Sequence, residues 1–211
     1  DPEGDVDAPW KQALAAGIPV LCEKPAAATL GEVDRMIEAA AKANRTLAIG
    51  FQWSFSDPIL KLKSDLRDGR YGRPRRFKTL TSWPRDSMYY ARNRWAGRVR
   101  DDQGRAVLDS PVNNATAHYL HNMLFLLGPA TDAAATPVAA EAHLFRANPI
   151  ENYDAACLRI DIGTGVEVLF YTAHCVRDRC GPIFELDCDD AVIHYAEGKL
   201  RAVAKDRVVA D

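Results

Sequence analysis

The stretch Ile18-Pro19-Val20-Leu21-Cys22-Glu23-Lys24-Pro25 decides how this chain folds. An apolar run typical of a buried strand ends at a lysine that is held directly before a proline. Ala13–Gly17 before it reads as the end of a helix stopped by glycine, and Thr29 with Glu32 after it forms a capping box that opens a new helix. Ligands of open α/β sheets bind beyond the carboxyl ends of the strands, so we expect Lys24 to face a ligand crevice.

The next elements extend this pattern. A helix is predicted over Thr29–Asn44, followed by a short strand that ends at Gly50-Phe51. The order strand, E-K-P, helix, strand and Gly-Phe resembles the Gfo/Idh/MocA (glucose-fructose oxidoreductase / inositol dehydrogenase) family. The resemblance implies a Rossmann fold that binds NAD or NADP, with Glu23, Lys24, Pro25 and Gln52 as cofactor contacts.

The pyrophosphate-binding turn of such a domain is missing from the sequence. No G-x-G-x-x-G occurs in the 211 residues, and the chain starts with an acidic segment without methionine. We therefore expect a family member truncated at both ends, with a natural cofactor-free relative as the alternative. Residues 1–55 are assigned to the C-terminal part of the dinucleotide-binding domain and residues 56–211 to an incomplete substrate-binding and oligomerisation domain.

The second domain has helices first and strands afterwards. Ser56-Asp57-Pro58 starts a helix, Asn113–Gly128 is a further helix, and strand-like runs separated by turns follow from residue 137. This order predicts an α+β domain with a predominantly antiparallel sheet that is open on one face and flanked by helices. The full fold class is therefore α/β plus α+β. The resemblance implies that the open face makes the contacts of a homo-oligomer.

A histidine near the start of the helix Asn113–Gly128 is the second candidate for chemistry. The family pattern D-x-G-x-H-x-x-D corresponds to Asn114, Thr116, His118 and His121, so the histidine is kept and both aspartates are replaced. Because residues four apart share a helix face, Asn114 and His118 are expected to address one ligand. Asn114 can hold a hydroxyl group but cannot take a proton.

We hypothesise that His118 removes the hydroxyl proton as hydride leaves the same carbon, while Lys24 steadies the developing oxyanion. The alternative for His118 is a hydrogen-bonded packing residue. His121 is a candidate substrate ligand, and the alternative for it is a structural role.

The irregular segment Pro84–Val112 mixes arginines with aromatic residues. Arg94 and Tyr90 are candidate substrate contacts, because guanidinium and phenol groups can orient a polyol or a carboxylate. A solvated loop in which aspartates offset the arginines is an equally weighted alternative.

Composition limits the remaining functions. The formal net charge is −2 and hydrophobic residues make up 47% of the chain, so neither a nucleic-acid partner nor a membrane partner is expected. Five cysteines without a secretory signal suggest reduced thiols in a cytoplasmic protein, and zinc at Cys175, Cys180 and Cys188 beside His174 is a minor alternative to no metal.

The leading function is an NAD(P)-dependent oxidoreductase of a sugar, cyclitol or related polyol. A non-catalytic ligand-binding or regulatory relative is the alternative.

Overall fold

The structure, a computed structural model, describes residues 9–205, so the acidic start and the last six residues lie outside the described part. The chain divides into two compact units between Phe51 and Gln52, where the sequence placed a boundary between residues 55 and 56. The turn Gln52–Phe55 falls in the second unit because it packs against a helix of that unit.

The N-terminal unit is a single strand-helix-strand motif preceded by a helix. Its elements are helix α1 (Pro9–Ala15), strand β1 (Val20–Cys22), helix α2 (Leu30–Ala43) and strand β2 (Leu47–Ile49). The two strands are parallel, with Leu21 opposite Ala48. The predicted capping box is confirmed, because Thr29 N donates to Glu32 Oε2 (2.9 Å) and Thr29 Oγ1 accepts from Glu32 N (3.3 Å).

Helix α2 has a narrower buried face than its apolar pattern predicts. Met36 is buried, whereas Leu30 and Ile37 are 83% and 59% exposed. Two paired strands of three residues cover only a narrow strip of a helix, and Leu30, Ile37 and Ala41 of the predicted apolar face of α2 are exposed in the described unit.

The C-terminal unit is built on a seven-stranded mixed sheet in the order β4-β5-β6-β3-β7-β8-β9. Its strands are β3 (Pro74–Ser82), β4 (Ala139–Phe145), β5 (Ala155–Asp161), β6 (Glu167–Ala173), β7 (Cys180–Cys188), β8 (Ala191–Ala196) and β9 (Lys199–Ala204). Its helices are α3 (Asp57–Arg67), α4 (Ser87–Ala91) and α5 (Ala117–Leu126). Strand β3 lies in the middle, parallel to β6 and antiparallel to β7, and every other pair is antiparallel.

One face of this sheet forms the core. Along β6, Val168, Phe170 and Thr172 are buried while their neighbours are partly exposed, the two-residue period of a sheet covered on one side. Helices α3 and α5 supply the other half of the core through their buried side chains, among them Ile59, Leu62, Met123 and Phe125. The opposite face is open, as the sequence predicted.

Candidate functional site

The carboxyl end of β1 is shaped by a close contact with Gly50. Gly50 N donates to Cys22 O (2.8 Å), which extends the parallel ladder past β2. A Cβ atom at Gly50 would lie 3.3 Å from Glu23 Oε2 and 3.4 Å from Cys22 O. Contacts this short are rare, so glycine at position 50 gives the Glu23 carboxylate its place at the end of the strand.

The residues at this strand end fit the nicotinamide-ribose part of a dinucleotide. Lys24 and Pro25 are partly buried, Glu23 is exposed, and the Lys24–Pro25 peptide is cis. The Lys24 ammonium is a hydrogen-bond donor suited to ribose hydroxyls and a carboxamide. No pyrophosphate-binding glycine turn is present in the sequence, so the fit concerns this end of the cofactor.

The segment around His118 differs from the predicted single helix. Pro111–Ala115 forms a π-helical turn closed by a hydrogen bond from Thr116 N to Pro111 O (2.9 Å), and α5 begins only at Ala117. Thr116 has φ −111° and ψ 9°, which breaks the helix between Asn114 and His118. The argument that these two residues share one α-helical face is therefore wrong. Single π turns of this kind are frequent at functional sites.

Asp109 is a polar residue of this region that the sequence reasoning missed, because it was counted among the aspartates that offset the loop arginines. Its carboxylate is buried and accepts hydrogen bonds from Gly97 N (2.7 Å) and Asn114 Nδ2 (2.8 Å). Because an ionised carboxylate only accepts, this contact sets the orientation of the Asn114 amide. The sequence feature that could have identified Asp109 as part of the site is its position directly before Ser110-Pro111, where a helix was predicted to start.

His121 lies within the packing between α5 and the turn Gln52–Phe55. Its Nδ1 shares a hydrogen bond with the buried Ser54 Oγ (2.9 Å), and its ring stacks on Phe125 with centroids 6.0 Å apart. Burial, followed by the charges of His118 and Lys63, lowers the pKa of His121 to about 4. These contacts support the structural alternative for His121 and keep its ring neutral at physiological pH.

Tyr90 and Arg94 occupy different surroundings. Burial, followed by the charge of Asp154, raises the pKa of Tyr90. The Arg94 side chain is 88% exposed and lies 3.9 Å from Asp102. Within the same loop Arg98 pairs with Asp102 (2.7 Å) and Arg105 with Asp101 (2.7 Å), as in the solvated-loop alternative.

Metal ligands do not cluster in the described residues. No three His, Cys, Asp or Glu side chains come together between residues 9 and 205 as a metal ion requires. His174, the candidate zinc ligand, instead donates from Nδ1 to the carbonyl oxygen of Trp83 (2.9 Å). The cysteines of the described part are free thiols. No helix in residues 9–205 has the length and apolar character needed to cross a membrane.

Comparison with known proteins places the N-terminal unit in one class. Residues 6–51 match the family model described as an oxidoreductase family with an NAD-binding Rossmann fold. A 1-carboxy-3-chloro-3,4-dihydroxycyclohexa-1,5-diene dehydrogenase of Comamonas testosteroni is 38% identical over 108 residues, which are 51% of this chain and 25% of that protein. Inositol 2-dehydrogenase of Streptomyces avermitilis is 44% identical over 63 residues, 29% of this chain and 18% of that protein.

Solved structures share the fold over most of the chain. The WlbA dehydrogenase of Bordetella pertussis, solved with NADH and UDP-GlcNAcA, superposes with a TM-score of 0.75 at 20% identity, covering 88% of this chain and 50% of that one. Aldose-aldose oxidoreductase of Caulobacter crescentus, complexed with glycerol, gives a TM-score of 0.74 at 21% identity and covers 92% of this chain and 56% of that one. The chain thus spans about half the length of these structures and a quarter or less of the curated relatives.

Residues 6–51, which include the strand end at Glu23-Lys24-Pro25, are thus similar to the NAD-binding Rossmann part of an oxidoreductase family, and the chain as a whole shares the fold of these solved structures, with a Rossmann part and a mostly antiparallel sheet part. The match to the Gfo/Idh/MocA oxidoreductase family model is confined to residues 6–51, and the inositol dehydrogenase relative is matched over 18% of its own length.

Proposed function

We propose that the protein containing this chain transfers hydride between NAD or NADP and a secondary alcohol or aldehyde of a sugar, cyclitol or related polyol. The observation that carries the proposal is the position of Lys24 at the carboxyl end of parallel strand β1, within the segment that matches an NAD-binding family. The nicotinamide ring, when bound, accepts or donates the hydride.

Lys24 is assigned to the cofactor ribose and to the substrate oxygen. Lys24 is partly buried, and its ammonium supplies hydrogen-bond donors and a positive charge beside the oxygen on which negative charge develops. Glu23, Pro25 and Gln52 are assigned to the same end of the cofactor.

His118 is assigned to the proton. It is partly exposed in the first turn of α5, and an imidazole exchanges protons near neutral pH. As general base it takes the hydroxyl proton during oxidation, and as general acid it returns a proton during reduction. Asn114, with its amide oriented by Asp109, is assigned to a substrate hydroxyl, and Arg94 and Tyr90 remain proposed substrate contacts. His121, first proposed as a substrate ligand, is assigned to its structural alternative.

A six-membered carbocycle bearing hydroxyl groups is the favoured substrate within this range. The names of the relatives support it, because one is a dehydrogenase of a dihydroxylated cyclohexadiene and the others act on inositol. The choice among polyols, and between NAD and NADP, is left to experiment.

The test uses the full-length protein and a fluorescence titration with NADH and NADPH. We expect Lys24→Ala to weaken binding by roughly ten- to a hundredfold, the effect of losing a charged hydrogen bond. Lys11→Ala, on the exposed side of α1, is the matched control and should bind like the wild type. Equal binding by wild type and Lys24→Ala would contradict the assignment of Lys24.

A polyol oxidation assay tests His118. His118→Asn should keep cofactor binding and lower turnover by about 10²–10⁴-fold, the usual contribution of a general base. Turnover that survives this change would reassign the proton transfer to another group.

A non-catalytic ligand-binding or regulatory relative is the second candidate, and Asn114 at the position of the family aspartate favours it. The two functions separate on one variant. If the wild type binds NADH without oxidising any cyclic polyol and Asn114→Asp does oxidise one, the natural protein is the non-catalytic relative.

The proposal also includes a homo-oligomer formed through the open sheet face and a cytoplasmic location. Partly exposed apolar side chains at the centre of that face, such as Leu80 and Leu169, support an interface there. The location stays a prediction from the sequence.

A further inference from the structure

Strand β4 is an edge of the seven-stranded sheet that the described chain leaves uncovered. It pairs only with β5, and all seven of its residues are exposed, including Leu144 (50%) and Phe145 (57%). In its neighbour β5, Ala156 and Ile160 are buried, and the turn Pro111–Ala115 contacts that strand. A long exposed edge with apolar side chains is a template for a further strand.

The sequence of β4, Ala139-Ala140-Glu141-Ala142-His143-Leu144-Phe145, is complementary to its own reverse. If two copies pair antiparallel with Ala142 opposite Ala142, Glu141 of each copy faces His143 of the other. On either side, Ala140 faces Leu144 and Ala139 faces Phe145, so small residues oppose large ones. Residues directly opposite lie about 5 Å apart at Cβ, within reach of a carboxylate-imidazole hydrogen bond.

We propose that β4 pairs with β4 of a second copy of this chain, about a two-fold axis through Ala142, and joins two seven-stranded sheets into one. Glu141 and His143 already approach each other to 3.4 Å (Oε1 to Nε2) along the strand, so both side chains extend toward a common position. An imidazole N–H donates to the carboxylate whether the ring is neutral or charged. The pairing also shields Leu144 and Phe145, which a free edge exposes.

The opposite edge of the sheet has the composition that prevents such pairing. Strand β9 carries Lys199 and Arg201, and exposed cations are a common device against edge-to-edge association. The two edge strands therefore differ in their tendency to pair with a further strand, and the proposal concerns β4 alone. It is independent of the proposed enzymatic function and uses a different surface from the open sheet face.

The test measures the dimer dissociation constant of the full-length protein by analytical ultracentrifugation. His143→Glu places carboxylates opposite each other and should weaken the dimer by roughly ten- to thirtyfold, since two cross-strand pairs are lost per dimer. Glu141→Arg should weaken it as well. The double variant Glu141→Arg/His143→Glu restores opposite charges and should recover most of the affinity. Arg201→Glu at the other edge is the control and should leave it unchanged.

Cysteine cross-linking locates the axis. Ala142→Cys should form a disulfide-linked dimer on mild oxidation, because the two side chains meet at the axis. Ala140→Cys should cross-link far less, because its copies are separated by four residue steps along the strands. The wild type, with its native cysteines, sets the background.

Two results would overturn the proposal. One is a full-length protein that is monomeric and gives no Ala142→Cys cross-link, as expected if another segment covers β4. The other is an assembly that is indifferent to the edge variants and dissociates on Leu169→Glu, which would instead support the open-face oligomer.

Discussion

The two units of this chain hold their candidate residues by different means. In the N-terminal unit, the contacts that shape the strand end at Glu23 come from Gly50, within one strand-helix-strand motif. In the C-terminal unit, Ser54 meets His121 across 67 positions, and Thr116 Oγ1 donates to Thr172 Oγ1 across 56 positions. The N-terminal site is thus a product of local structure, and the site around α5 depends on the assembled sheet and helices.

Burial shows the same contrast. The described part of the N-terminal unit buries the hydrophobic side chains of Leu14 and Met36, whereas the C-terminal unit has a continuous core that includes Phe77, Met123 and Phe170. We therefore expect substitutions in the core of the C-terminal unit to lower the free energy of unfolding strongly. Substitutions that remove a hydrogen bond in the N-terminal unit should have a small effect, confined to the element that loses the bond.

The largest effect is expected from Phe77→Ala. Phe77 is fully buried on β3 and lies 5.3 Å from Phe184 between ring centroids, so its loss leaves a cavity under the helices. We expect the free energy of unfolding to fall by about 3–5 kcal/mol in urea melts. Leu80→Ala, on the open face of the same strand, is the control, and an equal loss there would show that the two faces do not differ.

An intermediate effect is expected from the pH dependence of His121. Its pKa of about 4 in the folded state lies below the unfolded value near 6.5, so the unfolded chain binds more protons between these pH values. Stability should therefore be fully present above about pH 6.5 and decline by on the order of 2 kcal/mol as the pH falls toward 4.

His121→Gln should flatten that decline in melts recorded between pH 4 and pH 7. His194→Gln, which changes an exposed side chain on β8, should leave the decline as it is in the wild type. If the free energy of unfolding of the wild type does not change between pH 4 and pH 7, the low pKa assigned to His121 in the folded state is wrong.

The smallest effect is expected from Thr29→Ala in the N-terminal unit. It removes the hydrogen bonds that Thr29 Oγ1 makes with Glu32 N and Glu32 Oε2 at the start of α2 and should cost about 1 kcal/mol, visible as faster amide exchange confined to that helix. Thr29→Ser retains the hydroxyl and should exchange like the wild type. Faster amide exchange in β3 or α5 would contradict the expectation that the effect stays within the N-terminal unit.

Much of the fold could be read from local patterns. The capping box at Thr29, the strand before Lys24 and the strands after residue 137 each depend on neighbouring residues, so their positions follow from a few residues at a time. The burial of α2 was predicted too broadly, because a periodic pattern shows which face is apolar but not how much partner surface meets it.

The candidate site, like the fold, could be predicted only where it depends on neighbouring residues. Glu23, Lys24 and Pro25 form a contiguous motif, and the structure places them at the end of a parallel strand. Asp109 was missed because its function depends on Gly97 and Asn114, and nothing in the loop sequence shows that these groups meet.

The sequence by itself therefore determined the order of elements, the strand end at Lys24 and the resemblance to the Gfo/Idh/MocA family, because these follow from propensities, caps and a short contiguous motif. Only the tertiary structure decided that β3 lies between β6 and β7, that a π turn separates Asn114 from His118, and that β4 is an exposed edge. Each of these results from pairing and packing between distant segments, whose free energy depends on the whole assembled sheet rather than on local sequence.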